Sequence, residues 1–407
     1  MSKQPFITIV IPTRNRPELA LIAAESARHD QSADMQIIVS DNSDIDLKEK
    51  LKKSIEDLDD NRINYISPAH VMSMAEHWEW AVAQAQGEYV AVLSDRSVFK
   101  KNSLGFIRDI LREKKVNVLS YIWDSLGGTA PPYIYTQRSY TNKVYKFESK
   151  YFIKLASRAI VTHAYPRMLN CFVSNKLLKD IRKEVGQISA SLAPDYAFCF
   201  RILDSTKEIY FYDYPAFIVH GDSVSNGFNY SRNTGSETVK DFFSLAEKNI
   251  EKFAPIHSPL SHVPFNVEML EYNYAMKNQK SGHFTPLNNQ EFYIRSFAKA
   301  SKLSSDGVDM TQVFNLLDNY AAANNLSKLR YVNKKITKYR SKIFHLLKNT
   351  AFITLDNLAE SQRTFVADIF NIKKAVKFFS IDEAILYEQN HPKKTADRLD
   401  RKSLFLL

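Results

Sequence analysis

The chain has 407 residues and a mass of 46.9 kDa, more than one compact core usually holds, so two domains are expected. Apolar residues make up 44% and charged residues 25%, which excludes disordered, collagen-like and fibrous classes. Glycine is scarce, at 10 residues where an ordinary share would be about 7%, and the net charge of +10 asks for acidic partners.

Phe6 to Ile11 is a short apolar strand stopped by Pro12. Glu18–Arg28 repeats apolar and alanine positions at helical spacing. Met35–Val39 is a second strand, followed by the polar turn Ser40–Asp44 and a charged helix over Asp46–Leu58. A short strand at Ile63–Ile66 precedes a helix over Met72–Gln86, with Met74, Trp78, Ala81 and Ala85 on one face. Tyr89–Leu93 is a strand closed by Ser94–Ser97; Ser103–Lys114 is helical and Val116–Tyr121 a strand. From Asp124 to Pro166 the pattern loosens into a turn-rich, aromatic stretch that reads as an insertion or loop. Helices over Ser174–Val185 and Asp195–Leu203 follow, then strand-like Tyr210–Val219, and beyond about residue 236 the pattern is mostly helical. The expected architecture is α/β: a mostly parallel sheet flanked by helices over residues 1–235, then an all-helical C-terminal domain over 236–407.

Two cysteines, Cys171 and Cys199, exclude a disulfide framework and a thiolate zinc site, and suit buried apolar roles in a reducing compartment. Pro12 and Arg14 cut the first apolar run short, unlike a signal peptide, and no run approaches about 18 apolar residues. The expected location is the cytoplasm, with peripheral contact at the inner face of the cell membrane left open.

Ligands of parallel α/β sheets bind beyond the carboxyl ends of the strands, so polar residues there come first. Thr13, Arg14 and Asn15 follow the first strand, Asp41 and Asp44 the second, and Ser94, Asp95 and Arg96 the strand Tyr89–Leu93. Singly, each group reads as an ordinary turn former or helix cap. Three in series, each after an apolar strand, point to one shared site. The chain has no glycine-rich phosphate loop, dinucleotide fingerprint, nucleophile elbow or HExxH pattern.

In TIVIPTRNRPELA (8–20), VSDNSD (39–44) and GEYVAVLSDRS (87–97) the chain resembles the family 2 glycosyltransferases, inverting enzymes of the GT-A fold. The resemblance is close over about residues 5–125 and looser over 165–225. It implies a nucleotide-sugar donor, a UDP-sugar foremost, bound by Pro12, Thr13, Arg14, Asn15, Asp41, Ser94, Asp95 and Arg96. Asp41 takes the place of the carboxylate that accepts a hydrogen bond from uracil in relatives, a role that suits an acceptor-only group. Arg14 and Arg16 put positive charge near a pyrophosphate. The divalent ion of the family, Mg²⁺ or Mn²⁺, would fall to Asp95 and His220. The acidic cluster of relatives is here Ser94-Asp95-Arg96-Ser97, which leaves direct neutralisation of phosphate by Arg96 as the alternative. Asp195 matches the family's catalytic base, which takes the proton of the acceptor hydroxyl. The acid that precedes it in relatives is Pro194 here, and the same position also reads as a helix N-cap.

The resemblance implies sugar transfer to a hydroxyl of a glycan or lipid-linked glycan acceptor, in bacterial surface-polysaccharide synthesis. The rival expectation is a catalytically degenerate subunit that binds or scaffolds in a glycan-assembly complex, for which the depleted acidic cluster argues.

The C-terminal region resembles nothing nameable. Residues 240–407 hold 25 basic against 17 acidic residues. Between Asp318 and Asp356 there is no acidic residue, while Val332, Ile336, Tyr339, Ile343 and Leu347 repeat at helical spacing among lysines and arginines. This basic amphipathic segment, 328–348, has three readings: an anionic membrane contact, a helix packed on its own domain, or a seat for an acidic polysaccharide. No nucleic-acid-binding motif accompanies it, so nucleic acid is not an expected partner. Apolar, lysine-rich helices around Phe365–Phe379 and Ile381–Gln389 suit homo-oligomerisation or docking to a partner.

Overall fold

The opening apolar run becomes β1 (Ile7–Thr13), every residue of which is buried. Its alternation serves two faces: Ile7, Ile9 and Ile11 join one core, and Val10 joins the other. Pro17 opens α1 (Pro17–Arg28), where its missing N–H costs nothing. Next come β2 (Met35–Asp41), α2 (Ile45–Glu56), β3 (Ile63–Ile66), α3 (Met74–Ala83) and β4 (Tyr89–Val92). Ser73 and Glu76 form a reciprocal capping box that starts α3. The following elements are β5 (Ser97–Phe99), α4 (Ser103–Lys114), β6 (Val118–Gly127), β7 (Tyr133–Thr136), β8 (Val144–Glu148) and α5 (Ser149–Ser157). Then come β9 (Cys171–Ser174), α6 (Asn175–Val185), α7 (Pro194–Ser205), β10 (Glu208–His220) and α8 (Asn226–Ser231). The helices α9 (Glu237–Ile250), α10 (Pro264–Lys277), α11 (Asn289–Ser305) and α12 (Thr311–Ala323), strand β11 (Val376–Phe378) and helix α13 (Ile381–Asn390) complete the set. This computed structural model describes residues 4–128, 131–138, 140–189, 193–221, 225–232, 237–250, 264–326, 376–378 and 380–390.

One sheet runs β11-β7-β6-β9-β4-β1-β2-β3, with β10 alongside β6 and carrying β5 and β8. Strands β3, β2, β1 and β4 are parallel, and β9 enters antiparallel between β4 and β6. Helices α1, α2 and α4 cover one face through Ala23, Ala27, Leu51, Ile107 and Leu111. Helices α3, α5, α6, α7 and α10 cover the other through Val82, Phe152, Leu178, Phe200 and Tyr272. The α/β class with helices on both faces is thus the one expected.

Three local readings are corrected. The stretch from Asp124 to Pro166 is not a loop: β6 extends to Gly127, and β7, β8 and α5 follow. Their short strands pair at the sheet's margin, where alternation is weak and the glycines and prolines between them dominate the pattern. Strand β9, four buried residues, precedes α6. The C-terminal region is not wholly helical, because β11 pairs antiparallel with β7. Nor does it stand apart from the sheet. Tyr272 and Phe284 lie in the same core as Phe200, with ring centroids 5.5 and 6.4 Å from it. The basic segment 328–348 and the stretch 365–375 lie outside the described residues; Ile381–Gln389 is helical as expected. Among the described residues no helix is long and apolar enough to cross a membrane. Both cysteines are free and buried.

Candidate active site

Strand ends β1, β2 and β4 meet at one edge of the sheet and open on a cavity of about 410 Å³. Pro12, Thr13, Arg14, Asn15, Ser94 and Asp95, the strand-end residues singled out in the sequence, line it. Asn15 takes a left-handed φ of 56°, a conformation asparagine tolerates better than most residues. Its side chain both accepts from the Asp44 N–H and donates to the Asp44 carboxylate, each at 2.9 Å, which ties the first strand-end turn to the second.

Asp95 is the electrostatic hub. Its side chain is only 1% exposed, and Oδ2 accepts from Thr13 Oγ1 and pairs with Arg16 Nε, both at 2.9 Å. Arg14 is gripped from the opposite side. Its Nε and Nη2 donate to the Asp241 carboxylate on α9 at 2.6 and 2.8 Å, and its Nη1 donates to the Asn42 carbonyl at 2.7 Å. The Asp241 carboxylate holds the Arg14 guanidinium more firmly protonated than usual.

Asp41 departs from its expected place. It is fully buried, and its carboxylate accepts from the Ser43 N–H at 2.9 Å and the Tyr65 hydroxyl at 3.0 Å. It shapes the turn, and the residue of that turn on the cavity wall is Asn42. His77 on α3 also lines the cavity, with Nε2 2.8 Å from Ser40 Oγ. Burial pushes its ring down to about 3, so it is neutral at ordinary pH.

A second cavity of about 300 Å³ adjoins the first. Arg16, Met74, Trp78, Ser94, Asn226 and Phe242 line both. Arg96 and Asp195 belong to the second. Asp195 is not a helix cap: the cap position of α7 is Ala193, and Asp195 sits one residue inside Pro194. Burial raises its pKa, against the pull of the Arg167 guanidinium. Arg167 itself stacks 4.5 Å over Trp123 and donates to the Tyr196 hydroxyl at 3.0 Å.

The sequence did not suggest Glu268. It reaches this cavity from α10, in the region without a nameable resemblance. It hydrogen-bonds Tyr196, and burial, with Asp195 nearby, pushes its carboxyl up to about 7. Two carboxylates on aromatic walls of Trp78, Tyr196 and Tyr230 suit a molecule with hydroxyl groups and apolar ring faces. A glutamate in a helix carries no local mark of such a role, and only packing of α10 against α7 reveals it.

The metal-ligand set does not assemble. His220 ends β10 with its ring edge-on to Tyr133, 4.8 Å between centroids, and lines neither cavity. Its carbonyl accepts from Arg96 Nη1 at 3.0 Å. Among the described residues no three His, Cys, Asp or Glu side chains gather as a metal site, and the Asp95 oxygen is already shared by Thr13 and Arg16. The predicted pair of Asp95 and His220 is thus not brought together at one cavity.

Residues 8–175 match the model of glycosyl transferase family 2. A stretch of 104 residues is 30% identical to the putative colanic acid biosynthesis glycosyl transferase WcaA of Escherichia coli (strain K12), covering 26% of this chain and 37% of that one. The chain thus spans little more than a third of the length of the curated relative it matches. Among solved structures it is similar to S. aureus TarS 1-349, at 15% identity and a TM-score of 0.46, covering 82% of this chain and 91% of that one. The same protein in complex with UDP-GlcNAc gives a TM-score of 0.45 at the same identity and coverage. The family match takes in β1, β2 and β4, whose ends line the first cavity, so the segment from residue 8 to residue 175 is similar to glycosyl transferase family 2 where the site is built.

Proposed function

We propose that this chain is an inverting glycosyltransferase that moves a sugar from a nucleoside-diphosphate donor, a UDP-sugar foremost, to a hydroxyl of a glycan acceptor in surface-polysaccharide synthesis. The observation that carries the reading is the pair of adjoining cavities. One is lined by the strand-end residues of the family 2 segment, and the other holds Asp195. A nucleotide in the first and an acceptor in the second would meet at Ser94 and Arg16.

Asp195 would act as the base. Its raised pKa means the carboxylate holds a proton more readily than a solvated aspartate, which suits taking one from an attacking hydroxyl. Tyr196 and Arg167 fix the surroundings, and Glu268 offers a second acceptor-side hydrogen-bonding group. Similarity to a putative colanic acid biosynthesis glycosyl transferase supports a polysaccharide acceptor.

Asp195→Asn keeps the shape of the cavity and removes the base. Donor turnover, as hydrolysis or transfer across a panel of nucleotide sugars, should fall by about 10²-fold or more, with nucleotide affinity in calorimetry nearly unchanged. Turnover near wild type would reject the assignment.

A further inference from the structure

We propose that the diphosphate of the donor is received by Arg16, with Asp95 serving as the anchor of that guanidinium and not as a ligand of a divalent ion. The inference rests on the donor reading above and adds how the leaving charge is managed. Arg16 lies immediately before α1 and lines both cavities, so it stands where the bond between sugar and diphosphate would break. Its side chain is 25% exposed, whereas that of Asp95 is 1% exposed. The carboxylate is thus almost wholly buried at the cavity wall, and the guanidinium is the more accessible of the two. Thr13 Oγ1, at 2.9 Å, holds the same Asp95 oxygen from the end of β1.

Asp95 Oδ2 is already taken up by the Thr13 hydroxyl and the Arg16 guanidinium, and a dication on that oxygen would compete with both contacts. Mg²⁺ is ordinarily held by one or two carboxylates together with phosphate oxygens and waters, and the strand-end cluster Ser94-Asp95-Arg96-Ser97 offers only Asp95, whose Oδ2 is already engaged. A guanidinium meets phosphate oxygens with directed, charge-assisted hydrogen bonds. The positive end of the twelve-residue α1 adds to its field.

The step balances without a metal. The acceptor oxygen bonds to the anomeric carbon as that carbon's bond to the β-phosphate oxygen breaks. The electron pair leaves on the phosphate oxygen beside Arg16, and the hydroxyl proton passes to Asp195. Asp95 touches no reacting atom; it is a positioning residue.

The test is calorimetric titration of the full chain with UDP, GDP and dTDP, in EDTA and in Mn²⁺. Electron paramagnetic resonance of Mn²⁺ accompanies it. One nucleotide should bind with dissociation constants within about twofold in the two buffers, and the chain should add no immobilised Mn²⁺ to that held by the nucleotide. Arg16→Ala should weaken binding about tenfold in both buffers, the effect of losing a charged hydrogen bond, and Arg16→Lys should restore part of it. Asp95→Asn should weaken binding less than Arg16→Ala and stay indifferent to EDTA. If a variant fails to fold, the wild-type comparison of the two buffers decides alone. Nucleotide binding that needs Mn²⁺ overturns this inference and leaves the donor reading standing. Absence of binding by all three nucleotides in both buffers overturns the donor reading and the inference with it.

Discussion

Glu268 shows how much a single side chain can depend on packing. An unfolded glutamate titrates near 4.3, whereas burial beside Asp195 pushes this one up to about 7. Between those values the folded chain holds a proton that the unfolded chain has released, so stability falls as pH rises through the window. Asp195 and Asp213, raised by burial, act in the same direction. Replacing Glu268 with glutamine keeps the hydrogen-bonding shape and removes one titration. Melting temperatures measured from pH 5 to pH 8 should fall less steeply for Glu268→Gln than for the wild type; equal slopes would place the carboxyl in solvent. Among the strand-end residues, legibility varied with what each side chain does. Thr13, Arg14, Asn15, Ser94 and Asp95 reach a cavity wall as expected, but Asp41 is claimed by Ser43 and Tyr65. An aspartate that shapes a turn and one that faces a ligand look alike until the turn is built.

At the scale of elements, the long periodic segments were readable because burial writes their pattern. The isoleucines of β1 and the alanines of α1 meet in one buried core, as their periodicity leads one to expect. Short strands such as β7, β8 and β9 were not, since four or five residues give period-two alternation little room to show. Gly87 illustrates a local constraint that the motif hints at without explaining. A Cβ there would lie 2.7 Å from the Thr8 backbone nitrogen and 2.8 Å from the Ile7 carbonyl carbon. Its own N–H donates to Thr8 Oγ1 at 2.8 Å, which locks the entry of β4 against β1. Gly87→Ala should therefore cost about 1–3 kcal/mol in urea unfolding; a change within error would show that the two strands can part without penalty.

Across the whole molecule, the division drawn near residue 235 separates two sequence patterns more than two bodies. Tyr272 on α10 is fully buried against Phe200 on α7, and its hydroxyl donates to the Thr285 carbonyl at 2.7 Å. Arg158, just after α5, and Glu291 on α11 add an ion pair at 3.2 Å. Tyr272→Ala should destabilise the chain by about 3 kcal/mol or more and do so within a single unfolding transition. Two separate transitions in the wild type would show that sheet and helices melt independently. The net charge of +10 likewise looks different from inside the cavity. Arg14 is already matched by Asp241 and Arg16 by Asp95. On the proposed reading the cavity is no open sink for anions: an entering diphosphate would meet guanidinium groups already paired, with Arg16 held by Asp95 through Nε. The chain's own acids would thus temper the pull of these arginines on stray phosphate.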